Sequence, residues 1–140
     1  MEKKVMPICV CVVVLDAQNR VAMTARRFNH NLWGLPGGKT EPKDFTDNLT
    51  GLQSCKVAAT RELREETGLG VNPDDLNLVY SHQEDNLVLT FLASKYSGDI
   101  HPQEGEPPAC WSDSWDSLLT GAFAQYNTDL YNTLKIKQIL

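Results

Sequence analysis

The chain predicts an α/β protein, an α/β/α sandwich over a mixed sheet. Two observations carry this. A helical stretch over 50–67 stands between strand-like runs on both sides, and an amphipathic helix closes the chain.

The elements follow in order. Met6 to Leu15 reads as a buried strand, because Ile8, Val10 and Val12 to Val14 are β-branched. Asp16-Ala17-Gln18-Asn19 is a turn, so Arg20 to Arg27 reads as the second arm of a hairpin. Phe28 to Lys39, rich in Asn, Gly and Pro, reads as a loop. Thr50 and Gln53 have the form of a capping box, with Thr50 as N-cap and Gln53 at N3. The helix runs to about Thr67, and Gly68 suits a left-handed C′ position. On a helical wheel Leu52, Ala59 and Leu63 form the core stripe, while Cys55 and Ala58 fall among the glutamates. Leu76 to His82 and Leu87 to Tyr96 are strands separated by a polar turn. Gly98 to Ala109 is a loop. Cys110 and Trp111 begin a short strand, Ser114 to Leu119 is a short helix, and Ala124 to Ile139 is the closing helix.

A length of 140 residues suits one domain, 1–140, with one core. The net charge of −5 argues against a nucleic-acid polymer or an anionic membrane as partner. It leaves room for a nucleotide substrate, because a metal ion can supply local positive charge. Lys3-Lys4 and the apolar run after them imitate a signal peptide. No small-x-small cleavage site follows, and the run passes straight into a turn. Cys9, Cys11, Cys55 and Cys110 form no CxxC pair, and Cys9 and Cys11, alternating on one strand face, read as buried thiols; reduced cysteines and the missing signal together make the cytoplasm the expected compartment. His30, His82 and His101 lack metal-ligand spacing.

The chemistry is concentrated in Arg61-Glu62-Leu63-Arg64-Glu65-Glu66-Thr67-Gly68-Leu69. Glu62, Glu65 and Glu66 are related by i, i+3 and i+4 and share a helix face. Three like charges there repel, and a hard divalent ion with oxygen ligands relieves them. A solvated charged face has the same appearance. Upstream, Trp33-Gly34-Leu35-Pro36-Gly37-Gly38-Lys39 is a turn where backbone can approach a ligand closely.

Together these segments resemble the Nudix box, which ends R-E-U-x-E-E-x-G-U with U aliphatic, and Arg61 to Leu69 matches every fixed position. The resemblance implies the Nudix-type α/β/α sandwich and a metal-dependent pyrophosphohydrolase of the MutT-like kind. One departure stands out. The family's pattern usually places the arginine about fourteen positions after the second glycine, whereas Gly38 to Arg61 is 23, an insertion of about nine residues. The box's earlier glutamate falls on Gln53, or on Asp44 if the insertion follows it. The inserted stretch, Glu41 to Leu52, reads as a surface loop.

The resemblance implies further roles. Glu62, Glu65, Glu66 and the Gly38 carbonyl would hold Mg²⁺, with Mn²⁺ as a substitute. Glu62 is the first choice of general base and Glu65 the second. Arg61, one turn before Glu65, could pair with it and fix its rotamer. Arg27, or Arg26, looks like a phosphate-binding arginine. Glu104 resembles an extra metal-associated glutamate. Asn127 lies where MutT-like proteins place a base-reading asparagine, although Asn also suits a helix start. Trp33 could stack on a base or merely pack. Lys39 completes the candidate substrate-binding set.

The expected substrate is a nucleoside diphosphate-linked small molecule. A nucleoside triphosphate cut to monophosphate and pyrophosphate comes first. ADP-ribose, sugar nucleotides and dinucleoside polyphosphates are the alternatives, and a non-catalytic nucleotide-binding module is the further one. A monomer or a homodimer is expected.

Overall fold

The computed structural model describes residues 7–121 and 123–140. Its strands are β1 (Ile8–Val13), β2 (Val21–Arg26), β3 (Asn29–Gly34), β4 (Gly37–Lys39), β5 (Leu76–Gln83), β6 (Leu87–Ala93) and β7 (Ala109–Ser112). Its helices are α1 (Gly51–Thr67), α2 (Asp116–Leu119) and α3 (Ala124–Ile136). Met6, the expected start of the first strand, lies outside the described residues.

One sheet has the order β4-β1-β6-β5, with β1 parallel to β6 and the other pairs antiparallel. A second, antiparallel sheet has the order β3-β2-β7. The expected hairpin between the first two strands forms only at its base. Leu15 pairs with Val21, and β2 then leaves for the second sheet. Its turn is fixed by Asp16, whose carboxylate accepts hydrogen bonds from the N–H groups of Gln18 and Arg20.

Alternation along β1 divides the core. Val10, Val12 and Val14 pack with Ala58, Ala59 and Leu63 of α1. Val13, with Val21 and Met23, packs with Leu118 of α2 and Leu130 and Leu134 of α3. The layers are therefore helix, sheet and helix, as the sequence predicts.

The helical wheel needs correction. Ala59 and Leu63 are in the core, but Leu52 is 45% exposed, and Cys55 and Ala58 are buried in the core instead of standing among the glutamates. The first turn of α1 leaves Leu52 outside the core, and small residues let the middle of the helix pack closely. A second correction concerns 28–39, expected as a loop. It contains β3 and β4, because pairing with β2 and β1 outweighs poor local strand propensity.

The ends of α1 follow local chemistry. Thr50 accepts from the Gln53 N–H while the Gln53 side chain accepts from the Thr50 N–H. Gly68 ends the helix at φ 80°, and its N–H donates to the Arg64 carbonyl. A Cβ at Gly68 would also lie 2.4 Å from the His101 carbonyl oxygen. Gly68→Ala should therefore destabilise the fold by about 2 kcal/mol or more, measured by urea unfolding; a loss under roughly 0.5 kcal/mol would refute this account of the helix stop.

Candidate active site

Strand β4 runs very close to both neighbours. A Cβ at Gly37 would sit 2.1 Å from the Val10 carbonyl oxygen, and one at Gly38 would sit 2.8 Å from the Glu62 carboxylate. Only glycine lets this backbone pass between β1 and α1. The Gly37 N–H donates to Glu66 Oε2 at 2.9 Å. The Gly-Gly pair thus brings the acidic face of α1 against bare backbone.

A cavity of about 430 Å³ opens there, lined by Glu62, Glu65, Glu66, Gly37 and Gly38, by Arg26 and Arg27 of the β2 end, and by Glu41 and Glu106. A second cavity of about 510 Å³ adjoins it and shares Arg26, Leu35, Gly37 and Gly38. Cys11, Lys39, His82, Phe123, Tyr126 and Asn127 help to line the second.

Arg61 organises the acids. Its Nη2 and Nε donate to Asp44 at 3.0 and 3.2 Å, and its Nη1 donates to Glu62 at 3.0 Å. The contact with Glu65, expected from the helical spacing, is present but longer, at 3.6 Å. Asp44 is buried and also accepts from the Glu41 N–H. Burial pushes the Asp44 carboxyl up, but the hydrogen bonds and charge of Arg61 outweigh it and hold the group below the usual range. The same bond holds the Arg61 guanidinium firmly protonated.

Gln53 and Asp44 stand in different surroundings. Gln53 is exposed and serves the helix cap, whereas Asp44 sits against Arg61. Glu41 to Leu52 is largely exposed, as a surface loop should be, but Asp44 within it is buried.

The other expected residues divide. Arg27 lines the first cavity, and Glu106 accepts from its Nη2 through both carboxylate oxygens, each at 3.0 Å. Arg26 lines both cavities and lies 4.8 Å over the Phe123 ring. A register shift in β2 between Ala25 and Arg26 redirects the strand here. Lys39 and Asn127 line the second cavity. Asn127 is buried, and its Nδ2 donates to the Leu118 carbonyl at 3.1 Å.

Two residues fall elsewhere. Trp33 packs on the α2–α3 side of the core and lines neither cavity. Glu104 is exposed and outside both cavities; Glu106, two residues on, lines the first cavity. The loop is set by its docking on α1, where the His101 and Gln103 N–H groups donate to the Thr67 and Glu65 carbonyls. Glu106, Phe28, Phe123 and Tyr126 are among the lining residues that sequence reasoning missed. Their only signal was residence in loops or helix starts beside the motif.

The donor set suits a hard divalent ion: carboxylates of Glu62 and Glu66 beside an uncovered glycine backbone. Among the described residues, no three His, Cys, Asp or Glu side chains converge into a ready metal cluster. Arg61 holds Glu62 and approaches Glu65, supplying positive charge of its own. Glu66 retains a charge problem. Burial raises its carboxyl, the Gly37 N–H partly offsets this, and Glu62 and Glu106 raise it further, to about 8. Burial also raises Glu62, against the pull of Arg61.

An acidic helix face against a Gly-Gly strand, under a mixed sheet with helices on both sides, defines the class of fold and site. The NUDIX domain pattern matches residues 6–129, and the chain belongs to that family. It is 30% identical over 102 residues to a MutT-like protein of Streptomyces ambofaciens, covering 73% of this chain and 60% of that protein's length. The E. coli ORF135 protein shares the fold with a TM-score of 0.67 at 22% identity, over 93% of this chain and 91% of that one. The MutT protein of Methanosarcina mazei Go1 gives 0.66 at 19% identity, over 98% and 99%. An ADP-ribose pyrophosphatase of Streptococcus suis gives 0.62 at 14% identity, over 95% and 92%.

Glu66 sets a pH dependence. Its folded value lies above the ordinary 4.5, so the native state holds the proton more tightly than the unfolded chain. Metal-free protein should thus lose stability through this group as pH rises from 4.5 toward about 8. Glu66→Gln should flatten that fall in melting temperature, and saturating Mg²⁺ should do the same for the unaltered chain. Identical pH profiles for the variant and the unaltered protein would remove Glu66 as the source.

Proposed function

We infer that this protein is a Mg²⁺-dependent hydrolase of nucleoside triphosphates, releasing monophosphate and pyrophosphate. The observation that carries the reading is the pair of joined cavities. One is walled by Glu62, Glu65, Glu66 and two arginines, and the other by Tyr126, Asn127 and Phe123. Phosphates suit the first and a nucleoside the second. The MutT-named relatives agree with this reading, and the chain spans 60% of the length of the curated one.

When bound, Mg²⁺, or Mn²⁺ in its place, would polarise phosphate oxygens and lower the pKa of a water. Glu62, Glu66 and the Gly38 carbonyl would hold it, with Glu65 and Glu106 at the margin. The remaining work belongs to side chains of this chain. Arg26 and Arg27 orient the phosphates from the β2 end. Glu62, whose carboxyl burial has raised, takes the proton of the attacking water, and Glu65 is the second candidate. The water oxygen bonds to phosphorus as the anhydride oxygen departs with pyrophosphate. Arg61, tied to Asp44, fixes the Glu62 carboxylate for this task. The four free thiols suit a reducing, cytoplasmic setting.

One observation favours a second reading. Phe28 is 98% exposed yet borders the phosphate cavity. A sugar face or a second base beyond the diphosphate could pack on that ring, as in ADP-ribose, a sugar nucleotide or a dinucleoside polyphosphate.

A hydrolysis panel with Mg²⁺ and Mn²⁺ separates the two. Monophosphate plus pyrophosphate from a triphosphate is the expected product. Turnover of ADP-ribose or a dinucleotide alone would replace this reading with the second. Glu62→Gln should lower kcat by about 10²–10⁴-fold with little change in nucleotide affinity. Full turnover in both Glu62→Gln and Glu65→Gln would contradict the assignment of the base.

A further inference from the structure

The floor of the nucleoside cavity holds a polar cluster that the hydrolytic chemistry does not use. Thr90 of β6 is completely buried. Its hydroxyl contacts Cys11 Sγ at 2.9 Å and the Tyr126 hydroxyl, and among the described residues it has no other side-chain hydrogen bond. Cys11 and Tyr126 both line the cavity. The Tyr126 ring packs on Tyr80, with centroids 5.1 Å apart. Burial raises the Tyr126 hydroxyl and pushes the Cys11 thiol up to about 11, so both keep their protons at neutral pH.

The proton count is informative. Three groups carry one proton each, and two hydrogen bonds consume two of them. One proton remains over. When Cys11 donates to Thr90 and Thr90 donates to Tyr126, the spare proton is on Tyr126, which then offers a donor. When Tyr126 donates to Thr90 and Thr90 to Cys11, Tyr126 offers only lone pairs. Rotation about three bonds interconverts the two arrangements without changing any charge.

We propose that Cys11, Thr90 and Tyr126 form a reversible donor–acceptor switch that reads one edge of the nucleobase. It allows bases carrying an amine and bases carrying a carbonyl at that edge to share the site. The proposal rests on the nucleotide reading above. Asn127 beside it has a fixed orientation, because its Nδ2 is committed to the Leu118 carbonyl. Thr90 itself is a positioning residue, since only its two neighbours reach the cavity.

Removing one end should lock the switch. In Cys11→Ala the buried Thr90 hydroxyl keeps Tyr126 as its only acceptor, so the spare proton stays on Tyr126. A carbonyl-bearing base then gains over an amine-bearing one. The probes are inosine and adenosine triphosphates, which differ there by carbonyl against amine. The ratio of their kcat/KM values should rise about tenfold in Cys11→Ala, and stay within about twofold of the unaltered protein in Cys11→Ser, which preserves the chain. Tyr126→Phe should lower kcat/KM for both probes alike, so the test survives if Cys11→Ala does not fold.

An unchanged ratio in Cys11→Ala, with both triphosphates still cleaved, would overturn the switch and leave the hydrolytic reading intact. A change between ribose and deoxyribose substrates in its place would give the cluster to the sugar and also overturn it. No cleavage of either probe by the unaltered protein would remove both proposals.

Discussion

The narrow passage of β4 between β1 and α1 is the constraint on which the rest of the site depends. Gly37 fits against the β1 backbone and Gly38 against the Glu62 carboxylate. Side chains at these positions would push the helix outward. The acidic face would then stand away from the backbone, and Glu66 would lose the Gly37 N–H. The close approach is also why the two cavities share Gly37 and Gly38 as a common wall.

Electrostatics at the site follow from that crowding. The carboxylates of α1 cannot all be solvated, so the fold distributes positive charge among them. Arg61 serves Asp44 and Glu62 closely and Glu65 more loosely. Glu66 lies beyond its reach and has only a backbone N–H. The acid least served by the protein's own cation is thus the one under greatest pressure to remain protonated. Arg27 and Glu106 repeat this neutralisation at the opposite rim.

Legibility in the sequence tracked how local each cause was. The ends of α1 were readable because Thr50, Gln53 and Gly68 act within a turn of themselves. Strands β3 and β4 were not, because Asn29-His30-Asn31 and Gly37-Gly38 have weak strand propensity and become strand by pairing with distant segments. The motif's Glu62, Glu65, Glu66 and Gly38 line one cavity. The motif could not show that Glu106, and not Glu104, lines that cavity, since this depends on where the loop docks on the Thr67 and Glu65 carbonyls. Nor could it show that Trp33 turns to the core while Phe28 is left at the rim.

The segment between Asp44 and the start of α1 has a practical consequence. It leads into a helix whose 17 residues span about 25 Å at ~1.5 Å each. The glutamates occupy the far end of that rod. Residues 45–50 therefore run between two fixed points, Asp44 held by Arg61 on one side and the Thr50 cap on the other. The segment is a natural address for foreign sequence: an epitope or a small fluorescent reporter grafted there would be carried by the protein without entering its working parts.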